Sequence, residues 1–282
     1  MDVFGGEDGH VAQARQDLGV QPVLAARLPK PAVPAPDAAP EAAPATPDAA
    51  AKAPDAAPPP SADGPLLVLS QGSIVNFSGD VIVNAANTGC LGGGGVDGAI
   101  CDAGGPELAE ARRALPELDR RGTRCHTGDA KRTIGGQLPS KWCVHAVGPN
   151  YNMLWGRENE DGYSEGDEQL RSAYIAAMER SAEVGAGTVG FALLSAGIFR
   201  GRRSLHQVLE LAVEGVREGV YPGLQEVHLV AFTGQELETL ASAAQAVLST
   251  PPRPRPPRRV EPDEPRAPPP GERPALHRLS TA

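Results

Sequence analysis

Between residues 66 and 249, short apolar and β-branched runs alternate with longer stretches whose apolar residues recur at helical spacing, the pattern of an α/β fold. Strands are predicted at Leu66–Leu69, Val81–Val83, Trp142–Val147, Thr188–Leu194 and Val227–Phe232. Helices are predicted over roughly 97–103, 106–114, 168–184, 204–219 and 235–248. In the third helix Leu170, Tyr174, Ala177, Met178 and Ala182 keep close to the ~3.6-residue spacing that packs one face on a sheet. Upstream the pattern fades. Residues 11–28 carry weak helical periodicity (Val11, Leu18, Val23, Leu24, Leu28) that Pro22 interrupts, which allows at most a short docking helix. Residues 31–60 repeat Pro-Asp-Ala-Ala at 36–39, 47–50 and 54–57, with no large apolar residue after Val33. Such a stretch buries too little surface to offset its ordering entropy and reads as an extended linker.

Composition sharpens these boundaries. Of 29 prolines, 13 fall in residues 1–65 and 11 in 250–282. We therefore expect a disordered Ala/Pro-rich region over 1–64, one globular domain over 65–249 and a disordered Pro/Arg-rich tail over 250–282. The tail begins Pro251-Pro252-Arg253-Pro254-Arg255-Pro256-Pro257-Arg258-Arg259, which suits an SH3-like or acidic protein partner or nuclear import; a solvated tail is the blander reading and the favoured one.

Charge divides along the same lines: 4 basic and 9 acidic side chains in 1–65, 15 and 22 in 66–249, and 7 and 4 in 250–282, for a net charge of −9. An acidic core argues against nucleic-acid binding, which needs clustered Lys and Arg. It leaves room for a small phosphorylated ligand, because backbone N–H groups bind phosphate without net positive charge. Cys90, Cys101, Cys125 and Cys143 lack the paired spacing of a disulfide framework or a structural zinc site. The pairings Cys125-His126 and Cys143-Val144-His145 do not change that, so neither metal nor cofactor is expected. No apolar run approaches the ~20 residues that cross a bilayer. Asp2, Glu7 and Asp8 sit where a signal or transit peptide would be basic or acid-poor. The expectation is an intracellular monomer, cytoplasmic or nuclear, with no membrane partner.

The most informative stretch runs from Val81 to Ile100. A buried strand leads into Asn84 and Asn87, then into Gly92-Gly93-Gly94-Gly95, then into a helix start. Glycines let a ligand approach the backbone, and the helix N-terminus beyond them offers unpaired N–H donors to an anion. Gly93-x-Gly95-x-x-Gly98 formally matches a dinucleotide fingerprint, but it starts ten residues after Val83 and lacks the acid expected about 20 residues on. There is no G-x-x-x-x-G-K-[ST], so a P-loop is excluded.

Asn84-Ala85-Ala86-Asn87 followed by Gly92-Gly93-Gly94-Gly95-Val96-Asp97-Gly98-Ala99-Ile100 resembles the signature of the macrodomain (Appr-1''-p processing) family, specifically the MacroD-type ADP-ribosyl hydrolases. The resemblance continues through Gly105-Pro106-Glu107-Leu108, then Gly128-x-Ala130-x-x-Thr133-x-Gly135-x-x-Leu138-Pro139. It goes on through Val144-His145-Ala146-Val147-Gly148-Pro149 to Ser195-Ala196-Gly197-Ile198-Phe199, covering about residues 66–248. It implies a three-layer α/β/α sandwich around a mixed central sheet, with ADP-ribose lying across the strand ends. Ala85, Ala86 and Asn87 would line the distal ribose, and Gly92, Gly93, Gly94, Gly95, Val96 and Asp97 would wrap that ribose and the diphosphate. Ser195, Ala196, Gly197, Ile198 and Phe199 would close over the diphosphate, with Phe199 against the ribose and Phe232 near adenine. Asn87 and Asp97 match the pair associated with hydrolysis, and the implied partners are ADP-ribose and ADP-ribosylated proteins. The implied activity removes mono-ADP-ribose from acidic side chains and deacetylates O-acetyl-ADP-ribose; a non-catalytic reader of ADP-ribose is the alternative.

Chemistry gives the two residues sensible parts. The Asn87 amide both donates and accepts, which suits holding a ribose hydroxyl. A carboxylate beside a diphosphate suffers like-charge repulsion, which should raise the pKa of Asp97 in the complex and favour proton transfer near neutrality. Alternatively, Asp97 simply caps the helix. Asn84 and His145 read as buried structural hydrogen-bonders, and Ser195, lacking a nucleophile elbow, as a phosphate-loop residue. The chain departs from the family twice. Gly72-Ser73-Ile74 stands where the family has Gly-Asp-Ile, so at the Ser73 and Ile74 adenine subsite a neutral hydroxyl replaces a charged acceptor. Arg200-Gly201-Arg202-Arg203 follows Phe199, and these arginines either add phosphate affinity or are solvated charge. The connection over 150–167, with Tyr151, Trp155 and Tyr163, is expected to be a long loop.

Overall fold

A computed structural model describes residues 4, 14, 16–31, 64–154 and 163–252. Seven strands form one sheet: β1 (Gln21–Arg27), β2 (Leu66–Gln71), β3 (Val81–Ala85), β4 (Ala130–Ile134), β5 (Trp142–Ala146), β6 (Thr188–Ala192) and β7 (Glu226–Ala231). Their spatial order is β1-β2-β7-β6-β3-β5-β4. The five inner strands are parallel, and β1 and β4 run antiparallel at the two edges. The helices are α1 (Val96–Arg113), α2 (Tyr151–Leu154), α3 (Ser164–Ala182), α4 (Leu205–Glu218) and α5 (Gly234–Leu248).

Parallel strands buried on both faces must be apolar nearly throughout, as Leu66–Leu69 are; in β7 the buried Glu226 and His228 are admitted because they pair with each other at 3.1 Å. The two-residue strand period then divides the core into layers. Val81 and Val83 of β3 face the larger core built with α3, α4 and α5, where Leu170, Tyr174, Ala177 and Met178 lie as their spacing required. Ile82 between them joins the core against α1, with Ile100, Leu108 and Cys143. The result is the three-layer sandwich with a mixed sheet that was expected.

Two strands escaped the sequence reading. β1 lies in the region expected to be unstructured, where a docking helix was the most its periodicity allowed. Instead Ala25 and Ala26 are buried, Leu28 N donates to Pro65 O at 2.9 Å, and the sheet extends upstream of residue 65. Pro22 fits because an edge strand tolerates a missing donor, and the register shifts between Pro22 and Leu24. β4, Ala-Lys-Arg-Thr-Ile, was missed because charged residues dominate it, as suits an exposed edge.

The two helices expected over 97–103 and 106–114 follow each other across a break at the non-helical Gly105 (φ +67), directly before Pro106, and α1 comprises both. In the expected loop over 150–167, residues 151–154 form a helical turn and α3 starts at Ser164; Trp155 lies outside the described residues. So do most of the Ala/Pro linker, over 32–63, and the tail from Arg253. Among the described residues no helix is long and apolar enough to cross a membrane.

Tyr174 joins the helical layer to the loop after β6: its ring stacks on Phe191 at 5.3 Å, and its fully buried hydroxyl accepts from Leu194 N at 2.9 Å. Tyr174→Phe keeps the stack but strands that amide, so it should cost about 1–3 kcal/mol in urea titrations with an unchanged slope. An unaltered midpoint would contradict this tie.

Candidate functional site

The topology gathers the candidate residues. β2, β7, β6 and β3 are consecutive parallel neighbours, so their C-terminal ends share one edge of the sheet, roughly 14 Å wide at ~4.8 Å per strand. Ser73 and Ile74 follow β2, Phe232 follows β7, Ser195–Phe199 follow β6, and Ala85–Val96 run from the end of β3 into α1. From β3 the chain passes to β5 on one side and then crosses to β6 on the other, and open α/β sheets bind ligands at such a reversal.

The first loop is built around Asn87. Its Nδ2 donates to Gly92 O at 2.9 Å, and its Oδ1 accepts from Gly89 N at 3.0 Å. The amide thus braces its own loop while keeping a second N–H. Gly93, Gly94 and Gly95 are exposed. Gly95 caps α1 at φ +62, a conformation a side chain would strain, and no side-chain hydrogen bond closes this helix end. The N–H groups of the first turn therefore face the loop without intrahelical acceptors. A Cβ on Gly98 would lie 2.8 Å from Gly93 O, so the first turn packs directly on the glycine run.

The second loop is fixed from below. Ser195, at φ +54, donates its hydroxyl to Pro149 O at 2.8 Å, which commits that hydroxyl to the scaffold. Asn152 Nδ2 donates to Ile198 O at 2.8 Å, and Arg200 Nε to Ala196 O at 3.1 Å. Ile198 (84 % exposed) and Phe232 (73 % exposed) present uncovered apolar surface at this edge, and Phe199 is half-buried. Ile74 is buried under a short 3-10 turn whose preceding residue, Ser73, makes no capping bond.

The arginines after Phe199 are mostly spent on structure. Arg203 forms a two-point ion pair with Asp167 and stacks over Tyr163 at 4.9 Å, while Arg200 also donates to Arg203 O at 2.8 Å. Tyr151 completes the cluster by donating to Asp167 Oδ1 at 2.9 Å; burial and the Asp167 carboxylate push its phenol up. These contacts pin the second loop to α3 and hold Arg200 and Arg203 in the scaffold, a role that neither expected reading, phosphate affinity or solvated charge, describes.

Beneath the first loop lies a buried polar chain that the sequence disclosed only in pieces. Asn84 and His145 are register partners on β3 and β5, and they face α1. Asn84 Nδ2 donates to Asp97 Oδ1 at 2.7 Å and contacts His145 Nδ1 at 3.2 Å; His145 Nε2 meets Thr133 Oγ1 at 2.9 Å. Because an amide nitrogen only donates, His145 Nδ1 must accept and the ring must be neutral. Burial, and secondarily the Arg112 charge, lower its pKa to about 3. Arg112, fully buried, donates NH2 to Asp97 Oδ1 at 2.7 Å and Nε to the Cys90 carbonyl. Asp97 is itself 3 % exposed, and it caps nothing. Asn84 and His145 are the structural hydrogen-bonders expected of them. Arg112 was overlooked because Arg112-Arg113 at a helix end reads as solvated charge.

Cys90 (φ +54) and Cys125 pack together under the same loop, with Ala86 and Val147. Their mutual hydrogen bond lowers the Cys90 thiol and raises that of Cys125. Among the described residues all four cysteines are free and no His, Cys, Asp and Glu cluster could hold a metal.

A family model for the Macro domain matches residues 83–209. A macro domain-containing protein of Xanthomonas axonopodis pv. citri is 41 % identical over 150 residues, covering 52 % of this chain and 76 % of that protein. A protein of Escherichia fergusonii named O-acetyl-ADP-ribose deacetylase is 38 % identical over 148 residues, with 52 % and 76 % covered. Among solved structures, the Oceanobacillus iheyensis macrodomain with ADP superposes with a TM-score of 0.56 at 28 % identity, covering 66 % of this chain and 93 % of that one. The Trypanosoma brucei macrodomain in complex with ADP-ribose gives 0.51 at 30 % identity, covering 62 % and 68 %. With the sheet order, the glycine loop and these likenesses in agreement, the chain belongs to the macrodomain family.

The neutral ring of His145 carries a pH consequence. Its folded pKa lies below the unfolded value of about 6.5, so between roughly pH 6.5 and 3 the unfolded chain binds the extra proton and stability falls as pH falls. The fully buried ring should contribute up to about 1.4 kcal/mol per pH unit across that window. Denaturation at stepped pH should show a flatter acid limb for His145→Gln than for the wild type; parallel limbs would refute the assignment.

Proposed function

We propose that the chain binds ADP-ribose across the strand-end edge and hydrolyses esters on its distal ribose, releasing mono-ADP-ribose from acidic side chains of proteins and acetate from O-acetyl-ADP-ribose. The observation that carries this reading is the Asp97 carboxylate beside the glycine loop. Its Oδ1 is held by two donors, its Oδ2 has no hydrogen-bond partner, and a Cβ on Gly93 would lie 3.2 Å from both that oxygen and Asn87 Nδ2. An acceptor and a donor therefore converge on one point of the loop surface.

In this reading the first-turn N–H groups and Gly92–Val96 hold the diphosphate, and Ser195–Phe199 close over it through their backbone. Ala85, Ala86 and Asn87 seat the distal ribose, while Ser73, Ile74 and Phe232 border adenine. Water attacks the ester carbonyl carbon as Asp97 Oδ2 accepts its proton; the C–O bond to ribose then breaks as Asp97 returns that proton to the ribose oxygen, giving the ribose hydroxyl and the free carboxylic acid, which ionises. The likeness to a relative named O-acetyl-ADP-ribose deacetylase supports the ester as substrate. ADP-ribosylated proteins are the partners, met by a monomer whose Pro/Arg tail is available to a further protein.

Ser73 favours a second reading, a reader that binds without turnover, since the charged adenine acceptor of the family is missing there. Incubation with an automodified mono-ADP-ribosylated acceptor and with O-acetyl-ADP-ribose separates the two. Release by the wild type should slow about 10²–10⁴-fold in Asp97→Asn while calorimetry still finds ADP-ribose bound. Binding with no release by the wild type would leave the reader; equal release by Asp97→Asn would remove Asp97 from the chemistry.

A further inference from the structure

We infer that Arg112 is a positioning residue for Asp97: its buried guanidinium fixes Asp97 Oδ1 and the Asn87 loop together, so that Oδ2 is the carboxylate oxygen turned toward the ribose end of the glycine cradle. This rests on the hydrolytic reading for its catalytic meaning, but its geometry stands independently.

Arg112 sits at the far end of α1 from Asp97, beyond the break at Gly105, and its side chain is fully buried. It makes two contacts that no surface arginine would make. NH2 donates to Asp97 Oδ1 at 2.7 Å, and Nε donates to the carbonyl of Cys90, inside the loop that Asn87 braces through Gly89 and Gly92. One rigid planar cation thus spans the carboxylate and the loop, and its fork geometry fixes their relative placement in a way an ammonium on a flexible stem cannot. Asn84 brings a second donor to the same oxygen at 2.7 Å. An oxygen that accepts two hydrogen bonds, one of them charge-assisted, is a poor acceptor for a third proton. Reactivity is left to Oδ2, which has no partner although it is buried.

The ionisable groups around this carboxylate are Arg112 on its own helix, Cys90 on the loop, and Cys143 and His145 on β5. Burial pushes the Cys143 thiol up and His145 is held neutral, so Arg112 is the cation of the group. Removing it should take one of two donors from Oδ1 and leave the carboxylate freer to rotate.

The test uses the full chain with Arg112→Gln, which removes the charge, and Arg112→Lys, which keeps the charge and loses the fork. Melting curves establish folding, calorimetry gives the ADP-ribose Kd, and initial rates on O-acetyl-ADP-ribose give kcat and KM. The carbon-13 resonance of the Asp97 side-chain carboxyl, read at one pH, reports its hydrogen bonding without reference to turnover. For Arg112→Gln the expected result is a Kd within about threefold of wild type, kcat lower by about 10–100-fold, and a displaced Asp97 carboxyl resonance. Arg112→Lys should recover part of kcat. In an Asp97→Asn background Arg112→Gln should cost little further rate, because both changes remove one function. A folded Arg112→Gln with wild-type kcat and an unmoved carboxyl resonance overturns the assignment. If that variant does not fold, Arg112→Lys decides: kcat lowered about tenfold at unchanged Kd supports positioning, and wild-type kcat overturns it. If the wild type releases no acetate, the hydrolytic reading falls alone, and the carboxyl resonance still decides whether Arg112 holds Asp97.

Discussion

The ion pair between Asp97 and Arg112 is the constraint around which the loop end of this domain is arranged. Taking either charge out of water costs several kcal/mol, and only good geometry with further hydrogen bonds offsets it. The fold supplies both: Asn84 gives Oδ1 a second donor, Cys90 gives the guanidinium a carbonyl, and neutral His145 with Thr133 carries the chain to the sheet edge. Strands β3, β4 and β5 and the loop before α1 each contribute one member, and helix α1 contributes two. Their relative positions are therefore set by polar contacts as much as by the apolar layer of Ile82, Ile100 and Leu108 beside them.

The other loop is held by different means. Ser195, Asn152, Arg200 and the Tyr174 hydroxyl anchor its backbone, and the Arg203–Asp167 pair ties the turn leading into α4 to α3. The two rims of the strand-end edge thus rest on separate supports, one polar and deep under α1, the other made of backbone contacts over α3. That separation leaves Ile198 and Phe232 exposed while the segments that carry them are held from beneath.

How much could be read from the sequence depends on burial. The inner strands were legible because parallel strands covered on both faces must be apolar, and α3 because its buried face keeps helical spacing. The edge strands were not, because an edge needs neither apolar continuity nor every N–H: Pro22 and the pair Lys131-Arg132 spoke against strand where the structure has one. In the site, the glycine run and Asp97 were visible as types in a pattern. Arg112 was invisible, since nothing local distinguishes an arginine aimed inward from the solvated Arg113 beside it. Only the fold, by bringing the end of α1 under the loop after β3, gives that residue its partners.

The edge strand β1 has a consequence for how the chain tolerates change. Its hold on the domain lies in its pairing with β2 and the seating of Ala25, Ala26 and Leu28, and in sequence residues 32–63 join it to β2. Closing such a connection costs free energy that grows with the logarithm of its length, about 0.6 kcal/mol for each doubling. Repeats of the Pro-Asp-Ala-Ala unit can accordingly be gained or lost there with little thermodynamic penalty, which makes this junction the natural port for inserted sequence and leaves its composition free to drift while the paired strands on either side keep their register.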